Sequence, residues 1–188
     1  MSFDPSALTD GELAALSLAG RDAAFSEIVR RNKEPLFRLI AHNLRDADEA
    51  LDILQETLVA AYRSLTQYDQ SRPMRAWLSR IAINKCRDWA RRRKVRRLIS
   101  FILPVDETRA VIDDARGAED IAADRQELER VKRAIAILPT SLREPLIMHA
   151  IEGLSQAETA EALGISEKAV ETRIRRARAA LSSAIERQ

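Results

Sequence analysis

The sequence predicts an all-α protein: two small helical bundles joined by a linker, the C-terminal one carrying a helix-turn-helix. Three observations lead there. Aromatic residues make up only 4% of the 188 residues and glycines number 5, while Ala, Leu, Arg and Glu are plentiful, a composition that suits helices and not a sandwich or barrel. Apolar residues recur at 3.6-residue spacing through most of residues 13–97. Near the C-terminus, Ser155 with Glu158, followed by Gly164, punctuates two helices separated by a tight turn.

In chain order, Thr9 or Asp10 caps a first helix carrying Leu13, Leu16 and Leu18, and Gly20 interrupts it. Ala24, Phe25, Ile28 and Val29 resume the spacing, and Pro35 is expected to open or kink the next stretch, Leu36 to Leu44. Asp46 or Asp48 caps a long helix through Tyr62, with Leu51, Leu54, Leu58 and Ala61 or Tyr62 inward. Tyr68 to Pro73 is a loop. Met74 to about Arg97 is another helix, with Met74, Leu78, Ile81, Ala82 and Trp89 toward the core, and it closes a first domain over residues 1–97.

From Ser100 to about Asp120 the pattern fails, because Pro104 breaks it, Gly117 loosens it and acidic residues accumulate. Residues 98–122 are therefore read as a linker, although Leu98 to Leu103 is too apolar for a freely solvated tether and is expected to dock in part. A second domain, 123–188, begins with a helix that ends at Leu138, since the residue before Pro139 disfavours helical dihedrals. Ser141 to Glu152 forms the next helix. Ser155 and Glu158 then make a capping box, Ala160 is small where two helices would cross, and Gly164 sits where the turn needs positive φ. Ser166 caps the last helix, with Val170, Ile174, Ala177 and Leu181 as its inward stripe.

The formal charge of +2 conceals a pattern along the chain. Residues 73–99 carry 10 basic and 1 acidic side chain, a net of +9, whereas residues 100–130 have a net of −5. A segment so basic is a footprint for a polyanion. At 100° per residue, Arg80, Asn84, Arg87 and Arg91 fall on one side of their helix, with Trp77 and Asp88 at its border and Arg91 to Lys94 extending the charge. Arginines hold phosphates, an amide pairs with a base edge, and an indole supports an unstacked base. On the last helix, Lys168, Thr172, Arg175 and Arg176 face away from the apolar stripe, a surface suited to a major groove. The alternative for that region is an αα-hairpin with a solvated basic face.

Asp48, Asp52 and Glu56 follow one another at i, i+4 and i+8 with Gln55 adjacent, and like charges at that spacing repel, so the strip suggests a basic partner or else a solvated face. Catalysis is not expected: His42 and His149 are the only histidines and lie in separate blocks, and Cys86 has no recognisable His partner. No metal site or cofactor is expected either. One cysteine excludes an internal disulfide and fits a reducing compartment. No apolar run approaches the about 18 to 20 residues that span a bilayer, and the start, Met-Ser-Phe-Asp-Pro, lacks the basic and apolar regions of a signal peptide. A cytoplasmic protein without membrane insertion is expected.

Three ordered motifs together resemble a family. Asp52-Ile-Leu-Gln-Glu-Thr-Leu58, Trp77-Leu-Ser-Arg-Ile-Ala-Ile-Asn-Lys-Cys-Arg-Asp-Trp-Ala-Arg-Arg92, and Leu138-Pro139 with the terminal helix-turn-helix are similar to the extracytoplasmic-function sigma factors of bacterial RNA polymerase. The resemblance spans nearly the whole chain, with region two at about 9–97 and region four at about 125–188. It implies an alternative sigma factor that binds core RNA polymerase and directs promoter recognition and melting. By the same resemblance, Asp48, Asp52, Gln55 and Glu56 would dock on the β′ clamp. Tyr68, Ser71 and Arg72 in the loop, with Trp77, Arg80, Asn84, Arg87, Arg91 and Arg92 on the following helix, would capture the minus-ten element. Ser166, Lys168, Glu171, Thr172, Arg173, Arg175 and Arg176 would meet the minus-thirty-five element, and region four would also meet the β flap. An anti-sigma factor is implied as a further partner, and the linker would thread toward the RNA exit path. Glu171 departs from the basic residue of many relatives; Glu accepts from cytosine N4 but repels phosphate. Two other readings remain open from sequence, a stand-alone DNA-binding regulator and an interaction module that sequesters another protein.

Overall fold

The structure, a computed structural model, describes residues 4–44, 47–102 and 130–185. After a short 3₁₀ turn, Pro5–Ala7, the helices are α1 (Asp10–Leu18), α2 (Asp22–Leu44), α3 (Ala47–Arg63), α4 (Met74–Ile102), α5 (described over 130–137), α6 (Thr140–Leu146), α7 (Gln156–Leu163) and α8 (Glu167–Ile185). No strand occurs among the described residues, and the all-α expectation of two helical units holds.

Helix α1 starts where a reciprocal cap forms. Thr9 Oγ1 accepts from the Glu12 amide at 3.3 Å, and Glu12 Oε2 accepts from the Thr9 amide at 2.7 Å, satisfying two of the donors every helix start leaves orphaned. The carboxylate of Glu27 on α2 is buried between Arg30 and Arg31, whose hydrogen bonds hold its pKa down at about 2. Arg31 then donates to the carbonyls of Ser6 and Leu8, each at 2.9 Å, fastening the N-terminal turn.

Two expectations for the first bundle need correction. Pro35 neither opens nor breaks a helix: α2 runs unbroken from Asp22 to Leu44 through it. Proline costs one backbone hydrogen bond, but Ile28, Leu36, Leu39 and Ile40 are buried on both sides of it, and this packing offsets the loss. On α3, Leu54, Leu58 and Ala61 face the core as expected, but Leu51 does not. The buried residues of this helix are Ala50, Ile53, Thr57 and Ala61, with Leu54 and Leu58 at the margin, whereas Leu51 and Tyr62 are about half exposed, at 51% and 50%. Helix α3 packs against α2 and α4 through Ile53 and the small Ala50, Thr57 and Ala61, which leaves Leu51 and Tyr62 on the outer face. Asp46, one of the two proposed caps, lies outside the described residues; Asp48 stands in the first turn of α3.

Helix α4 continues to Ile102, into the stretch assigned to the linker. Leu98 to Ile102 contains no helix breaker, and the first obstacle is Pro104. The remainder of the linker expectation, and the start of the helix that ends near Leu138, lie outside the described residues.

In the C-terminal part, Pro139 precedes α6 as expected, but the Ser141 to Glu152 helix is not uniform. Ile147–Ile151 is wound as a π turn, closed by the Glu152 amide on the Ile147 carbonyl at 3.0 Å. The capping box of α7 is present, with Ser155 Oγ accepting from Glu158 at 3.1 Å and Glu158 Oε2 from Ser155 at 2.7 Å. Gly164 adopts φ 67°, ψ 38°, and Ile165 donates to the Ala160 carbonyl at 3.0 Å across the turn. A Cβ built at Gly164 would meet nothing within 4 Å, so its cost is conformational alone. Gly164→Ala is accordingly expected to lower stability by about 1–2 kcal/mol, read as a shift of the urea midpoint at unchanged slope. Val170, Ile174 and Ala177 are buried as the inward stripe, against Leu138, Leu146 and Ala160, with Leu181 at the edge.

The two units are packed together. Ile147, Met148, Leu154, Ala162 and Leu163 belong to the same continuous core as Leu36, Ile40, Leu78 and Ile83, with α7 lying on α4.

Candidate nucleic-acid and partner interfaces

The outer face of α3 is built by its 3.6-residue winding. With Ala50, Ile53, Thr57 and Ala61 inward, Leu51, Tyr62, Gln55, Asp48, Val59, Asp52 and Glu56 follow one another around the exposed half. The acidic strip is therefore interleaved with an apolar ridge. Leu51, Val59 and Tyr62 are surface candidates that the sequence reading did not name: Leu51, and Tyr62 as the alternative to Ala61, were expected inward, and Val59 was not singled out. Tyr62 leans edge-on against Phe25, ring centroids 4.9 Å apart, which fixes its position without covering it. Glu56 is the most engaged of the four polar residues, 3.3 Å from Lys85 and 3.8 Å from Arg92 on α4.

On α4 the stripe falls where the wheel placed it. Arg80 and Asn84 are exposed and form no hydrogen bond or ion pair among the described residues. Arg87 is committed instead: its Nε and Nη2 donate to the two oxygens of Glu144, at 2.9 and 2.6 Å. Arg91 pairs with Asp88 one turn back. Trp89 is buried, its indole N–H donating to Glu49 at 2.6 Å and Arg93 lying over its ring, so it belongs to the core. Trp77 is half-buried, with its ring 5.3 Å from Tyr68.

The 68–73 loop is pinned by its own side chains. Tyr68 is buried and its hydroxyl donates to the Arg72 carbonyl at 2.6 Å; in this arrangement it props the loop and offers little surface. Asp69 accepts from the amide and hydroxyl of Ser71, at 3.0 and 2.7 Å, and these bonds hold its carboxyl below the usual range. Arg72 reaches Glu161 of α7 at 2.9 Å as well as Asp69 at 3.1 Å. Cys86 is buried, and desolvation together with the nearby Glu144 charge pushes its thiol up to about 12, so it is no nucleophile near neutral pH.

In the helix-turn-helix, Ser166 Oγ accepts from the Ala169 amide at 3.2 Å, opening α8. Lys168, Glu171, Arg175 and Arg176 are exposed, while Thr172 and Arg173 are half-buried on the flanks of the same face. A shallow pocket of about 200 Å³ beside them is lined by His149, Gln156, Glu171, Ile174, Arg175 and Arg178. His149 donates through Nδ1 to the Leu154 carbonyl at 2.7 Å, leaving Nε2 as its other ring nitrogen. The three groups of candidates remain on three surfaces: α3, α4 with its preceding loop, and α8.

Comparison with known proteins accounts for this arrangement. A sigma-70 region 2 family model matches residues 28–96, and a sigma-70 region 4 model matches residues 128–181. RNA polymerase sigma factor CnrH of Cupriavidus metallidurans is 39% identical over 94% of both chains. The ECF RNA polymerase sigma factor SigM of Mycobacterium tuberculosis is 32% identical over 93% of this chain and 83% of that protein. The solved structure of CnrH in complex with the cytosolic domain of CnrY superposes with a TM-score of 0.72 at 36% identity, covering 95% of this chain and 98% of that one. Sigma factors of this kind initiate transcription without catalysing a reaction themselves. No described helix is long and apolar enough to cross a membrane. The chain belongs to the extracytoplasmic-function sigma factors, and is an alternative sigma factor that binds core RNA polymerase and directs promoter recognition and transcription initiation.

Proposed function

We propose the following division of labour among the residues. A first domain, 1–97, uses Asp48, Asp52, Gln55 and Glu56, with the ridge of Leu51, Val59 and Tyr62, to dock on the β′ clamp. The loop residues Ser71 and Arg72, propped by Tyr68, together with Trp77, Arg80, Asn84, Arg87, Arg91 and Arg92, hold the displaced strand of the minus-ten element. A second domain, 123–188, sets α8 in the major groove of the minus-thirty-five element through Ser166, Lys168, Glu171, Thr172, Arg173, Arg175 and Arg176, and meets the β flap. Residues 98–122 join them. The observation that carries this reading is the combination of Arg80 and Asn84 on α4, exposed and without partners among the described residues, with an open basic face on α8: one suits an unstacked strand and the other a duplex groove. A small protein partner that holds the factor inactive is also proposed, as CnrH is solved with the cytosolic domain of CnrY. The site of action is the cytoplasm.

The test is transcription in vitro with purified core polymerase and a pool of genomic promoter fragments. Discrete start sites that depend on this protein are expected. Arg176→Ala should weaken the upstream contact and reduce the salt slope of promoter binding by about one, with start sites unmoved. Absence of start sites, or an unchanged slope, would count against the assignment.

A further inference from the structure

Resting on the reading of α8 just proposed, we infer that Glu171 is a specificity-determining residue that selects a cytosine in the upstream promoter element. From Glu167 to Arg178, α8 bears five basic and two acidic side chains. Glu167 has a local reason to be acidic, since it stands in the first turn, where the unpaired amides of a helix start favour negative charge. Glu171 lies one turn further on and gains nothing from that field. Arg175 follows it by four residues, the spacing and order at which a glutamate and a basic residue pair most readily along a helix. Yet Glu171 and Arg175 are both exposed and form no ion pair or hydrogen bond among the described residues. Lys168, Arg176 and Arg178 leave the carboxylate unpaired as well. Glu171, Ile174, Arg175 and Arg178 form the α8 side of the shallow pocket shared with His149 and Gln156, so the carboxylate stands beside about 200 Å³ of open space.

The chemistry open to such a carboxylate in a duplex is narrow. An ionised carboxylate only accepts hydrogen bonds, and it repels phosphate, so a favourable contact has to come from a donor on a base edge. In the major groove guanine shows two acceptors, thymine an acceptor and a methyl group, and adenine an acceptor beside its donor. Cytosine shows a donor alone, its N4 amino group. Glu171 therefore gains a charge-assisted bond at cytosine and is left desolvated, or facing another acceptor, at the other three bases. Lys168, Arg175 and Arg176 supply the sequence-independent attraction to phosphate that offsets its repulsion and holds the helix in the groove. Phosphate contacts of this kind position α8, and Glu171 tests the base. Discrimination of about tenfold is expected, toward the lower end of what a base-edge contact gives. An amide in the same place offers a donor beside an acceptor, which matches the edge of adenine instead.

The experiment uses the full-length protein assembled with core RNA polymerase and a duplex fragment carrying the strongest start site from the transcription assay. Each upstream base pair protected in the closed complex is replaced in turn by the other three, and binding is measured by filter retention on ice. Wild type should show one pair at which cytosine on one strand is preferred about tenfold over each alternative. Glu171→Gln should move the preference at that pair to adenine. Glu171→Ala should bring the four alternatives there within about twofold, with the preferences at every other pair unchanged. Glu167→Gln makes the same change in net charge one turn earlier, and should raise affinity for all sequences alike while keeping the cytosine preference. A wild-type profile without a cytosine preference, or one that survives Glu171→Ala, would overturn the inference. So would Glu171→Gln and Glu167→Gln giving the same uniform gain. Arg176→Ala reports on the reading of α8 separately. If it weakens binding while residue 171 alters no preference, that reading stands and the cytosine assignment falls; if neither variant changes upstream binding, both fall.

Discussion

Leu51→Asp leaves the free protein folded and lowers its affinity for core RNA polymerase by about a hundredfold, equivalent to about 2.7 kcal/mol. The first half follows from exposure. Leu51 projects from the outer face of α3, away from Ala50, Ile53 and Thr57, so the substitution removes little buried area and should change unfolding by no more than about 0.5 kcal/mol. The second half follows from its neighbours. Leu51, Val59 and Tyr62 form an apolar ridge among Asp48, Asp52 and Gln55. In a protein interface, desolvated apolar and aromatic anchors carry most of the binding energy, while exposed charges steer and orient. Asp52→Ala should therefore cost only about 0.2–1 kcal/mol and lose its effect as salt rises. Equilibrium competition for core polymerase against a labelled sigma factor, alongside urea unfolding, separates the two. Wild-type binding by Leu51→Asp would move the docking face off α3.

That ridge also shows where sequence was sufficient and where it was not. Local signals were read correctly. The caps at Thr9 and Ser155, the turn at Gly164 and the stripe of Val170, Ile174 and Ala177 are set by hydrogen bonds and sterics within a few residues, and they stand where the spacing put them. The outward turn of Leu51 on α3 was not legible, because periodicity reports that a face is apolar but not which neighbour it meets. Against α2 and α4 the buried face is Ala50, Ile53, Thr57 and Ala61. Pro35 does not open a new helix for a related reason: the packing of Leu36, Leu39 and Ile40 offsets a lost backbone bond, and packing is tertiary. Glu144, Glu152 and Glu161 escaped notice because their partners are far away in sequence. A buried carboxylate looks like a solvated one until the arginine opposite is known.

Asn84→Ala should reduce promoter opening by about thirtyfold while leaving the closed complex intact. Asn84 is exposed midway along α4, one turn after Arg80 and within a turn of Arg87, and its amide has no hydrogen-bond partner among the described residues. An amide so placed offers both a donor and an acceptor to a base edge, but only after the base has left the duplex. Its contribution is therefore realised in the open complex and absent from the closed one, which is what allows it to shift the equilibrium between them. A two-bond pairing of an amide with a base edge is worth about 1–3 kcal/mol, and the middle of that range corresponds to about thirtyfold. Arg87→Ala should behave differently. The proposed phosphate contact is lost and Glu144 is left buried without its two-bond partner, so folding stability should fall together with affinity in the open complex. Permanganate reactivity of thymines in the melted region measures opening, and filter binding on ice measures the closed complex. Reactivity equal to wild type in Asn84→Ala would remove Asn84 from the capture site, and a parallel loss in both assays would make it a general DNA contact.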